Sequence, residues 1–172
     1  MSWNDGGYGG AYGFDVQQVC LNGHIITDVA KTSPRDTQKY CSQCGAQTIT
    51  ECQKCGTPLR GLDHDSNVII AYYVPPPAYC LNCGAPYPWT ELCFAIASEL
   101  VAEADRLSED DKKKLTDTFP DLAVDTPKTQ LATMRFNKIV KKAGSELANG
   151  LRGILIDIVS ESVKKALWGP HA

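Results

Sequence analysis

The chain is predicted to be an α+β protein. A cysteine-rich β module at residues 16–89 is followed by a C-terminal bundle of three to four helices at residues 90–172. Three observations carry this. Seven of the eight cysteines fall between Cys20 and Cys83. Short runs of β-branched and aromatic residues, punctuated by proline, fill the same stretch. From Thr90 onward, apolar residues recur at helical spacing instead. The chain has 172 residues, of which 43 % are hydrophobic, enough for one ordinary domain or two small ones.

Residues 1–15 interleave glycines with Trp3, Tyr8, Tyr12 and Phe14 and show no periodicity, so they read as a flexible tail. Strand-like runs follow at Val16–Val19, Ile25–Val29, Gln47–Thr50 and Val68–Val74. Pro34, Pro58, Pro75–Pro77, Pro86 and Pro88 separate them. So little apolar sequence builds only a small core, and the order of this region must come from elsewhere. Thr90 reads as the cap of a first helix running to about Leu107. Ser108 caps a second, with Glu109, Asp110 and Asp111 in the first turn, where the helix dipole favours negative charge. Pro120 closes it. Thr126-Pro127 opens a third helix, which ends near Lys142 before Gly144. From Ser145 to Gly169, the residues Leu147, Leu151, Ile154, Leu155, Ile158, Val159 and Val163 form the apolar stripe of a last helix.

The net charge is −3. Neither half of the chain has the cationic excess that phosphate neutralisation needs, so a nucleic-acid partner is disfavoured. The N-terminus lacks the basic and apolar regions of a secretory signal, and no run of about 18 apolar residues offers a transmembrane segment. A cytoplasmic location is expected. Thiols stay reduced there, which favours metal ligation over disulfides.

The cysteines are spaced for metal. Cys20-x3-His24, Cys41-x2-Cys44, Cys52-x2-Cys55 and Cys80-x2-Cys83 are four ligand pairs, and eight donors make two tetrahedral sites. Zinc suits thiolate and imidazole donors in closed four-coordinate sites. Gly45, Gly56 and Gly84 each follow the second cysteine of a pair, where a tight knuckle calls for positive φ. Two structural Zn2+ ions are therefore expected, with His64 as the rival to His24 for the eighth position. Cys93 falls on the first helix and reads as a small buried hydrophobe. Spacing leaves the pairing open between sequential zinc ribbons, a nested arrangement and an interleaved cross-brace. Zinc-ribbon units are slightly favoured.

The segments CLNGH, YCSQCG, CQKCGTPLRG and YCLNCGAPYPWTE precede LSEDDKKKLTDTFPDLAVDTPKTQLATMRFNKIVKKAG. In that order they resemble a small bacterial family, a domain of unknown function with zinc-ribbon-like knuckles. The resemblance covers nearly the whole chain after residue 15. It implies bacterial origin and metal binding, and no activity. The long–short–long gaps also resemble cross-braced RING and FYVE zinc fingers. The FYVE likeness fails at Arg35–Tyr40, which is too weakly basic for phosphoinositide. The RING likeness implies a protein-binding patch drawn from Leu21, Ile25, Leu81, Pro86 and Trp89, with packing against the helices as the simpler role for these residues.

No GxSxG, P-loop, HExxH or Rossmann glycine pattern is present, and ligation would occupy every cysteine except Cys93. No catalytic or further cofactor-binding residue is assigned. The expected function is that of a non-enzymatic zinc-binding adaptor. Its zinc module serves as recognition head, and its helices dock another protein or form a homo-oligomer. A RING-like accessory factor in bacterial protein modification or defence is the alternative, and a zinc-ribbon nucleic-acid binder comes third.

Overall fold

A computed structural model of the chain describes residues 13–64 and 74–169. Most of the glycine-aromatic tail and all but Val74 of the Val68–Val74 run lie outside the described residues. The chain divides into two compact units, Met1–Pro76 and Pro77–Ala172.

Among the described residues, the first unit holds five short strands: β1 (Phe14–Val16), β2 (Gln18–Cys20), β3 (Ile25–Thr27), β4 (Thr48–Ile49) and β5 (Arg60–Asp63). They form two small antiparallel sheets, β1–β5 and β3–β2–β4. The first strand begins at Phe14, inside the stretch read as tail, because pairing with β5 recruits it. Gln17 separates β1 from β2 and donates its amide to the Leu59 carbonyl at 3.0 Å.

Among the described residues of this unit, few apolar side chains are fully buried; Val19 and Leu59 are the clearest. Polar side chains do much of the interior work. Asp15 is buried and accepts from the amides of Val16 (2.6 Å), Lys31 (2.8 Å) and Thr32 (3.3 Å), and from the Thr32 hydroxyl (2.6 Å). His64 Nε2 lies 3.0 Å from the same carboxylate. Gln18 exchanges hydrogen bonds with the backbone of Gln38, both at 2.9 Å, which fixes the loop that leads into the second cysteine pair.

The second unit is helical: α1 (Pro88–Ala102), α2 (Glu109–Thr116), α3 (Phe119–Leu122), α4 (Thr129–Ala143), α5 (Ser145–Leu155) and α6 (Glu161–Trp168). Its α4 packs against α2, α3, α5 and α6, while α1 packs against α2 and α5. Leu115, Phe119, Leu122, Phe136, Leu151 and Leu155 are among the residues that fill the core between them.

Ser108 caps α2 as its sequence indicates, its hydroxyl accepting from Asp111 N at 3.2 Å. Other boundaries differ in detail. The first helix stops at Ala102, and Tyr87, not Thr90, is its N-cap. Thr90 is fully buried and donates its hydroxyl back to the Ala78 carbonyl at 2.8 Å. Pro120 lies in the first turn of the short α3 instead of closing a helix. The long stripe after Ser145 breaks into α5 and α6, because Ser160 starts a new helix by accepting from Val163 N at 3.4 Å.

Candidate metal centres

Each cysteine knuckle is built the same way. In the second pair, Cys41 N donates to Ala46 O and Gly45 N donates back to Cys41 O, both at 2.8 Å. The third pair repeats this with Cys52, Thr57 and Gly56, and the fourth with Cys80, Ala85 and Gly84, at 2.8–2.9 Å. Single β-bridges close each loop: Tyr40 to Gln47, Glu51 to Pro58 and Tyr79 to Pro86. The turn is possible because Gly45, Gly56 and Gly84 take φ of 72°, 70° and 69°, a region that side chains with Cβ rarely enter. In each knuckle the first cysteine is buried and the second exposed.

The first pair is the β2–β3 turn itself. Cys20 ends β2, and the His24 amide reaches its sulfur at 3.3 Å. Sheet pairing of β2 with β4 then brings the second knuckle to the same place. His24 Nδ1 lies 3.6 Å from Cys20 Sγ, 3.7 Å from Cys41 Sγ and 3.3 Å from Cys44 Sγ, and the Cys20 and Cys44 sulfurs are 3.7 Å apart. Zinc bonded to sulfur at about 2.3 Å and to nitrogen at about 2.0–2.1 Å sets tetrahedral edges of about 3.5–3.8 Å. The donor separations match those edges, so the four residues fit one ion.

The local fields favour a thiolate at the exposed corner. The Ala46 amide, outweighing desolvation and assisted by His24 and Asn22, brings the Cys44 thiol down to about 6. Burial pushes the Cys20 thiol up, against bonds from the His24 and Asn22 amides.

By donor chemistry the first four predicted ligands, Cys20, His24, Cys41 and Cys44, make one group able to hold a metal ion, and the third and fourth knuckles each bring two more cysteine donors. The first group unites the first and second pairs. That is the sequential arrangement of zinc ribbons, and it sets aside both the nested pairing and the interleaved cross-brace of the RING and FYVE likenesses. His64, the rival eighth donor, sits instead on Asp15. Cys93 is half-buried on α1, its thiol pushed up by burial and then by Asp157. Of the proposed protein-binding patch, Trp89 is buried and stacked on Tyr87 with ring centroids 4.7 Å apart, while Leu81 is 63 % exposed.

A family described as an uncharacterised protein conserved in bacteria (DUF2321) matches residues 13–167. The chain belongs to that family. The match spans both units and all eight candidate ligands. No curated protein and no solved structure matches the chain. Membership carries bacterial conservation and no activity. Among the described residues, no helix is long and apolar enough to cross a membrane.

The Asp15 hub is what sequence reading missed. Its partners Thr32 and His64 lie 17 and 49 residues away. Asp15 itself falls in the stretch read as tail, and no spacing rule connects it to them.

Proposed function

We propose that this member of the family is a non-enzymatic, cytoplasmic zinc protein that holds a rigid recognition head on two structural Zn2+ ions and uses its helical unit for docking or self-association. The observation that carries the reading is the match of the Cys20–His24–Cys41–Cys44 donor separations to the edges of a zinc tetrahedron. A site with four protein ligands leaves no position for water or substrate, so its ion stabilises the fold. We assign the second ion to Cys52, Cys55, Cys80 and Cys83. Each of those knuckles supplies two thiolates, half of a tetrahedral set.

Elemental analysis of the purified chain tests the assignment. About two zinc ions per chain are expected. Cys41→Ser should lower the content to about one and leave the other site filled. Fewer than two zincs in the parent chain, or an iron–sulfur absorbance in its place, would sink it.

A further inference from the structure

We propose that the helical unit associates with a second copy of the chain by laying the outer face of α1 against the outer face of α4 of the next molecule. This rests on the docking role assigned above and names its partner.

Both helices are 15 residues long, about 22 Å. Thr129, Ala132, Phe136, Ile139 and Val140 turn one side of α4 into the core. Positions 128, 131, 135 and 138 alternate spacings of three and four on the other side, with 134 and 141 beside them, so all six share an exposed face. That face holds Lys128, Arg135, Lys138 and Lys141 around Leu131 and Met134, which are 48 % and 64 % exposed. The helix contains no acidic residue. Lys142 is spent on Asp111 at 2.9 Å, but the other four cations form no ion pair among the described residues.

The outer side of α1 is its counterpart. Trp89, Thr90, Ala97 and Val101 are the buried side. Positions 92, 96, 99 and 103 follow one another at spacings of four, three and four on the opposite side. They set Glu99 and Glu103 beside Leu92 and Ile96, which are 40 % and 42 % exposed. The helix contains no basic residue, and Glu99 and Glu103 form no ion pair among the described residues. Both acids also sit at the C-terminal end of α1, where the helix dipole disfavours negative charge. Local rules broken without local compensation are what a binding face shows.

The two faces are opposite in sign and alike in apolar content, so each satisfies the other. α1 on α1, or α4 on α4, would oppose like charges. The contact is therefore heterologous, head to tail. An anionic lipid surface or a foreign acidic peptide would use α4 and leave α1 uncovered. A second copy covers both.

Sedimentation velocity on the zinc-loaded full chain tests this. Average mass should rise with concentration at low salt and return to the monomer value at high salt. Glu99→Lys with Glu103→Lys, and separately Arg135→Glu with Lys138→Glu, should each weaken association about tenfold or more. An equimolar mixture of the two variants should recover it, since each altered face then meets its complement. A parent chain that stays monomeric at low salt overturns the proposal, as does a variant that associates like the parent or a mixture that fails to recover. Parent protein that is monomeric yet binds phosphatidylserine vesicles overturns it in favour of lipid. Zinc content and helical circular dichroism on the same samples separate the two readings. Loss of either would count against the zinc-stapled docking role, while zinc-loaded, helical monomers would overturn only this contact.

Discussion

Asp15 shows how a single buried side chain can tie distant segments together. Burial alone would raise its carboxyl, but the bonds from Thr32, His64, Val16 and Lys31 outweigh this and hold it well below the usual carboxylate range. A depressed carboxyl stabilises the fold above its ordinary value, about 3.9, and that contribution is lost as pH falls below it. Asp15→Asn should therefore cost about 2–4 kcal/mol at neutral pH, because donors aimed at the lost oxygen stay buried without their acceptor. The gap between variant and parent should narrow in denaturant melts as pH drops below about 4. An equal gap at every pH would remove the ionised carboxylate from this role. The candidate ligands were legible in the sequence and Asp15 was not, for one physical reason. A knuckle is a local turn that four residues and a glycine specify, whereas the Asp15 network depends on a fold that first brings distant segments together.

At the scale of the helix, two glycines of α5 separate packing from propensity. A Cβ at Gly150 would lie 2.7 Å from Leu100 Cδ2 of α1, so these helices approach over a missing side chain. A Cβ at Gly153 meets nothing within 4 Å. Gly153→Ala should raise stability by about 0.5–1 kcal/mol through helix propensity alone. Gly150→Val should lower it by about 1–3 kcal/mol by overpacking the α1 contact. Thermal melts with the same sign for both would refute the distinction. Of these two glycines, Gly150 alone meets a close neighbour. The sequence predicts one helix from Ser145 to Gly169. The Ser160 cap was present in the sequence, but the continuous apolar stripe masked it. Ile158 and Val159 are buried in the connection between α5 and α6 as fully as they would be in a helix.

For the molecule as a whole, the two units differ in what holds them. Among the described residues, the helical unit has a broad apolar core, whereas the first unit has a few buried apolar side chains, a polar network and a set of candidate metal donors. Chelation should therefore abolish amide-exchange protection in β1 to β5 while most of the helical signal survives. Simultaneous loss of both would mean that the helices depend on metal as well. The sequence changes periodicity at Thr90, later than the Pro76–Pro77 boundary of the compact units, and the last knuckle is tied into the start of α1. Trp89 makes that tie. Its ring is buried and stacked on Tyr87, and its Nε1 donates to the Pro77 carbonyl at 3.0 Å, just ahead of Cys80. The chain thus carries a fluorophore beside one of its cysteine knuckles. Opening that turn would move the indole into water and shift its emission to the red, so the state of the knuckle can be followed by its own light, without a dye.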